Sequence, residues 1–136
     1  MANEATLHFR TEHPINFTVA DGTGIEKGAL LKLTDPMTAA LADGADDLIA
    51  GIAASEKIAN DGTTKLGVYR RGVFKMSLSG AAAIGQTLGS QSSSENYVKQ
   101  SNTSLSGARV IGTALETGVD GDTFLVDVDV SASQAA

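Results

Sequence analysis

Apolar residues in this chain recur at every second position, in short bursts, and nowhere at helical spacing. Phe124, Val126, Val128 and Val130 alternate with Leu125, Asp127 and Asp129; Phe74, Met76 and Leu78 alternate with Lys75 and Ser77; Ile15, Phe17 and Val19 alternate with Asn16 and Thr18. Successive side chains of a strand point to opposite faces, so this spacing gives each burst one face for a core and one for water. Between the bursts stand "ADGTG" (20–24), "NDGTT" (60–64) and "VDGDT" (119–123). Such Asp-Gly clusters reverse a chain, because glycine takes positive φ without a Cβ clash and aspartate bonds its neighbouring amides. Many short strands with turns close behind them imply an all-β fold: a small compact β-barrel or β-sandwich with at most one or two short helical turns.

Along the chain, strands are predicted at 15–19, 29–33, 48–54, 66–68, 73–78, 110–115 and 124–130, with a bulge or bend at Gly72. The alanine-rich segment 37–47 suits a helical turn or a loop, and 79–90 has room for one helical turn. The Ser-rich stretch 90–108 reads as an exposed loop with a short strand at Tyr97 and Val98. Residues 1–14 carry one apolar pair, Leu7 and Phe9, end at Pro14, and read as a flexible N-terminal arm ahead of a single β-rich domain, 15–136.

Two stretches echo each other. "IAGIAASEKIANDGTTKLGV" (49–68) and "VIGTALETGVDGDTFLV" (110–126) align Gly51 with Gly112, Ala53 with Ala114 and Asp61-Gly62 with Asp120-Gly121. A weaker echo links 25–33 with 119–126. The glycines Gly28, Gly51, Gly62, Gly112 and Gly121 are therefore expected at structural corners, where the chain needs positive φ or close backbone approach. Two echoes fall short of a solenoid.

Composition narrows function. The chain has no cysteine, which removes disulfides, thiolate metal ligands and a thiol nucleophile. A net charge of -6 repels phosphate backbones, and aromatics at 4% give no base-stacking platform, so nucleic acid is not expected as a partner. The N-terminus is too polar for a signal peptide and no stretch approaches the ~20 apolar residues of a span, so a soluble protein without a membrane partner is expected.

No G-x-S-x-G elbow, P-loop, H-E-x-x-H or dinucleotide fingerprint is present, and no catalytic, cofactor or metal role is assigned to any residue. His8 and His13, with Glu4 and Glu12, sit in the arm and lack the fixed geometry of a zinc site. Lys75, in "FKMS", resembles a carrier-domain lysine but is not preceded by methionine. Arg70 and Arg71 read as a solvated strand end, with an anion or partner contact as the alternative. The sequons at 16–18 and 102–104 bear only on a secretory pathway. Asp120 and Asp122 flank Gly121 in a turn, and Asp127 and Asp129 share the wet face of the last strand; the spacing is not that of an EF-hand.

With these residues laid out, Ile15 to Val130 resembles the capsid decoration proteins of tailed bacteriophages, also called cement or head-stabilisation proteins. The resemblance rests on the order of "INFTVADGTGIEKGALLKL", "DLIAGIAASEKIANDGTTKLGVYRRGVFKMSLSGAAAIGQTLGS" and "ARVIGTALETGVDGDTFLVDV". It implies a non-enzymatic virion protein that binds the major capsid protein on the outer capsid surface as a homotrimer and stabilises the shell. It also implies a capsid-binding arm, here Thr6, Leu7, His8, Phe9 and Arg10, able to reach about 45 Å when extended. The alternative is a carbohydrate-binding or host-adhesion module on the virion, disfavoured because sugar platforms need aromatic faces and the chain has no Trp and two Tyr.

Overall fold

A computed structural model describes residues 3–9, 12–44, 48–91, 96–100 and 110–130. Among these residues there is no helix, and eleven strands carry the structure: β1 (Thr6–Phe9), β2 (Ile15–Thr18), β3 (Leu30–Asp35), β4 (Thr38–Leu41), β5 (Ile49–Ala53), β6 (Lys65–Tyr69), β7 (Arg71–Leu78), β8 (Thr87–Ser90), β9 (Tyr97–Gln100), β10 (Gly112–Ala114) and β11 (Thr123–Asp129).

The strands close into two barrels. The first runs β2-β4-β3-β5-β6 and returns to β2; the second runs β7-β11-β10-β8-β9 and returns to β7. Each has one parallel contact, β2 with β4 and β7 with β9, and antiparallel pairs elsewhere. Strand for strand, the two barrels share one topology: β2 corresponds to β7, β3 to β8, β4 to β9, β5 to β10 and β6 to β11. Closure gives every barrel strand a neighbour on both sides, although the parallel seams are short, one residue pair between β2 and β4 and two between β7 and β9.

The correspondence extends to single residues. Ile25 and Lys57 exchange backbone bonds across a bridge, as do Ala82 and Gly118. The Gly28 amide donates to the Ala53 carbonyl at 2.9 Å, and the Gly85 amide to that of Ala114 at 2.7 Å. Asp61 Oδ2 accepts from the Ile58 amide, and Asp122 Oδ2 from that of Val119. The echo of 49–68 in 110–126 is thus a real equivalence of β5-β6 with β10-β11, but its pairing of Asp61-Gly62 with Asp120-Gly121 is corrected: Asp61 corresponds to Asp122, and Asn60, whose amide donates to the Asp21 carbonyl, to Gly121, whose amide donates to that of Leu78. The weaker echo is corrected: 25–33 corresponds to 82–90, both leading through a positive-φ glycine, Gly28 or Gly85, into the second strand of a barrel. Leu31 and Leu88, fully buried, mark the match, which alanines in "AAAIG" obscure in the sequence.

The alternating bursts bury their apolar faces, except that Ile15 at the start of β2 is exposed while Phe17 and Val19 are buried. Phe74, Met76 and Leu78, and Phe124, Val126, Val128 and Val130, are all buried, whereas Lys75 and Asp127 are exposed. Ser77 departs from the pattern; it is buried, and its hydroxyl donates to Asn3 Oδ1 at 3.1 Å. Phe17, Val19, Leu31, Ala50, Leu66 and Val68 fill the first barrel. Leu30, Ile49 and Ile52 face the other way and join the core of the second. Both faces of β5 are therefore buried, which explains its unbroken apolar run.

Within segment 37–47, suited on its face to a helical turn or a loop, Thr38–Leu41 is β4. Four residues cannot nucleate a helix alone, whereas β3 and β2 supply pairing on both sides. Segment 79–90 forms turns and β8, with no helical turn.

The same barrel position is plugged in two ways. Lys57 has a fully buried side chain, and its ammonium donates to the carbonyls of Asp21 at 2.7 Å and Ile58 at 3.1 Å, with Asp61 Oδ1 at 3.4 Å and Asp21 Oδ1 at 3.5 Å. In the second barrel Gly118 replaces Lys57 and Leu78 replaces Asp21. A Cβ on Gly118 would meet the Leu78 Cδ2 at 3.0 Å, so the leucine fills the room the lysine stem takes in the first barrel.

Candidate interaction site at the first strand

Every strand but β1 has neighbours on both sides among the described residues. β1 lies antiparallel along β7, with Thr6 opposite Lys75, Leu7 opposite Phe74 and Phe9 opposite Val73, across a bulge at His8. β9 pairs only with Ser77 and Leu78, leaving the earlier part of this β7 edge open, and β1 covers it. Segment 1–14 thus contributes a strand, where composition alone suggests an arm with little structure of its own.

Two glycines make room for that strand. A Cβ on Gly28 would collide with the carbonyl oxygen of Ala5, and φ there is +90°. A Cβ on Gly72 would come within 2.9 Å of the Phe74 ring and 3.1 Å of the Phe9 carbonyl, at φ +149°. The Ala5 amide donates to the Gly28 carbonyl at 2.8 Å. Asn96, 5% exposed, completes the seat: Oδ1 accepts from the Leu30 amide at 2.6 Å, and Nδ2 donates to the carbonyls of Asn3 at 2.9 Å and Gly28 at 3.1 Å. A buried amide using both of its ends in this way ties three segments together.

Between β1 and the first barrel lies a groove of about 480 Å³, walled by Ala5, Leu7, Gly28, Ala53, Tyr69 and Phe74, with Glu4 and Lys27 at its rim. Tyr69 and Phe74 meet edge to face, their centroids 5.7 Å apart. A hydrogen bond with Glu4 holds the Glu26 carboxyl below the usual carboxylate range. Outside the groove Phe9 is 62% exposed and its ring meets that of His8 at 4.5 Å.

Of the arm residues, Thr6, His8 and Phe9 are exposed, Leu7 is half-buried against Gly72, and Arg10 lies outside the described residues. The corner glycines are spread over both barrels. Gly28, Gly51, Gly62 and Gly121 have positive φ. Gly112 does not, but a Cβ there would collide with the Asp127 carbonyl, as one on Gly51 would with that of Tyr69.

The aspartates of 120–129 form no joint site. Asp120 accepts from the Gly80 amide at 2.8 Å, Asp122 caps its own turn, Asp127 is exposed, and Asp129 faces Arg71 Nε at 3.1 Å. No group of three or more His, Asp or Glu able to hold a metal occurs among the described residues. Arg70 is not a solvated strand end: its guanidinium donates to the carbonyls of Ala50 at 3.2 Å and Val130 at 3.0 Å and lies over the Phe17 ring. Asn96 and Lys57 escape sequence reasoning altogether, since a lone polar residue beside a strand carries no periodic signal that it is buried.

A second apolar surface closes the far end of the second barrel. Ile84 and Val119 are 66% and 61% exposed, and the Ile84 amide donates to Thr117 Oγ1 at 3.1 Å.

Among curated proteins, no sequence matches the chain. Among solved structures it is similar to the N-terminal base of the head fiber gp8.5 of bacteriophage phi29, at 14% identity and a TM-score of 0.56, over 88% of this chain and 98% of that one. At that identity the likeness concerns the fold. A family model for phage cement proteins matches residues 9–130, from the end of β1 through both barrels, and the chain belongs to that family.

Proposed function

We propose that this protein binds the capsid of a tailed phage from outside and stabilises the shell, acting through its surfaces rather than through chemistry. The observation that carries this is the cement-family match over residues 9–130, which takes in both barrels. Closed barrels suit the task, because a protein that shares the load on a shell gains from strands paired on both sides within each barrel. The major capsid protein is the partner, and a homotrimer is the binding form, which raises avidity because three linked contacts rebind before all are lost. The strip Thr6, Leu7, His8, Phe9 and Arg10 belongs to the contact.

The test is to add purified protein to expanded, undecorated capsids and heat them. Saturable binding and a higher temperature of capsid disruption are expected. Absence of both refutes the proposal.

A further inference from the structure

We infer that the first barrel carries a binding site for a primary ammonium, filled from within by Lys57, and that a free alkylammonium enters the site when that side chain is cut back. The inference concerns what holds this barrel together and does not depend on capsid binding.

Two turns build the site. The turn after β2 supplies the carbonyl and carboxylate of Asp21, and the turn between β5 and β6 supplies the carbonyl of Ile58 and the carboxylate of Asp61. Bonds that do not involve Lys57 hold these oxygens. The Asn60 amide donates to the Asp21 carbonyl at 2.7 Å, the Gly62 amide to Asp21 Oδ1 at 2.8 Å, and the Thr63 amide to Asp61 Oδ1 at 2.8 Å. The Lys57 side chain is wholly buried, whereas those of Asp21 and Asp61 are 42% and 33% exposed. The stem therefore lies inside while its ammonium meets two carboxylates that face water.

Spacing and chemistry select the cation. From Nζ the two carbonyls stand at 2.7 and 3.1 Å and the two carboxylates at 3.4 and 3.5 Å, the lengths of hydrogen bonds and ion pairs. Calcium takes its oxygens at about 2.3–2.6 Å and magnesium at about 2.0–2.1 Å, so these oxygens are spaced for an ammonium rather than for either ion. They are acceptors only, which matches a group with three donors and no acceptor.

The second barrel supplies the comparison. Asp122 Oδ2 accepts from the Val119 amide at 3.0 Å, as Asp61 Oδ2 does from that of Ile58, so this aspartate caps the turn in both barrels. Asp21 and Lys57, by contrast, change together, to Leu78 and Gly118. The carboxylate of Asp21 is present in the barrel that holds the cation and missing from the one that does not, which assigns it to the charge rather than to the turn.

Urea denaturation of the full chain tests this. n-Butylammonium supplies the charge and the four-carbon stem that Lys57→Gly removes. Titrated into that variant, it should raise the urea midpoint toward the wild-type value along a saturating curve. n-Butanol, with the stem and no charge, should raise it much less, and the wild type, whose site is filled, should not respond to n-butylammonium. A second variant covers the case in which Lys57→Gly does not fold. Lys57→Cys places a single thiol in a chain that has no cysteine. Alkylated in urea with 2-bromoethylamine, the sulfur displacing bromide, it regains a side chain of lysine length that ends in an ammonium; 1-bromopropane gives the same length ending in a methyl group. After refolding, the first should have the higher midpoint. A shift no larger with n-butylammonium than with n-butanol, or equal midpoints for the two alkylated proteins, overturns the inference and leaves capsid binding untouched.

Discussion

Arg70 and Val130 grip each other through both backbone and side chain: the Val130 amide donates to the Arg70 carbonyl at 2.9 Å, and the Arg70 guanidinium donates back to the Val130 carbonyl at 3.0 Å. The same guanidinium reaches the Ala50 carbonyl at 3.2 Å, so one side chain bonds the β5 strand of the first barrel and the residue that follows β11 of the second.

Arg70→Ala should therefore destabilise the whole protein by about 2 kcal/mol, the usual worth of hydrogen bonds to a charged donor. Arg70→Lys should recover only part of this, because an ammonium cannot span two carbonyls as the planar fork does. Urea denaturation at neutral pH measures both.

The two plugs should be partly exchangeable. Lys57→Gly alone removes a buried cation and its stem and should cost about 3 kcal/mol or more. Asp21→Leu alone sets a leucine against that cation. Together they reproduce the Gly118–Leu78 arrangement of the second barrel. The double variant should be more stable than the sum of the singles by about 1 kcal/mol or more, read from a double-mutant cycle; strict additivity would show that the positions are not equivalent.

Gly28→Ala should unseat β1. The new Cβ collides with the Ala5 carbonyl and must adopt φ +90°, a strain of about 1–3 kcal/mol that the chain can relieve by releasing residues 3–9. Hydrogen exchange should accelerate at the amides of Thr6 and Phe9 and stay slow in β11. The equivalent Gly85→Ala shares the φ penalty, but its Cβ meets open space, so β1 should remain protected.

Acid should weaken the first barrel through Asp61. The Thr63 amide, 2.8 Å from Oδ1, is the main cause holding this carboxyl below its ordinary range, with Lys57 adding to it. A folded-state value below the unfolded one gives stability that is present above the ordinary carboxylate range and lost as pH falls through the lowered folded value. The urea midpoint of Asp61→Asn, lower at neutral pH, should therefore decline less between about pH 5 and about pH 2 than that of the wild type.

Much of this fold can be read in the sequence wherever one face of a strand is buried. Phe74-Met76-Leu78 and Phe124-Val126-Val128-Val130 announce their inner faces by alternation alone, and the echo of Gly51 in Gly112 exposes the last hairpin of each barrel. The rest is hidden by physical circumstance. β4 is four residues of small and aliphatic type, and only pairing with β2 and β3 makes it a strand. The match of 25–33 with 82–90 is masked because Ala82 stands where the first barrel has Ile25, and the difference between Lys57 and Gly118 is offset by Leu78, far away in sequence. The interaction site is less legible still. Leu7 and Phe9 stand out as apolar residues in a polar segment, but the seat that holds them depends on Asn96, on Gly28 and on a length of β7 edge that β9 leaves uncovered.

A single residue, Arg70, separates the strand that ends the first barrel from the strand that begins the second, and it is fastened to both bodies. Such a joint ties the two barrels by more than a peptide bond, so force applied at one barrel should reach the other through the Arg70 bonds rather than through a loose linker.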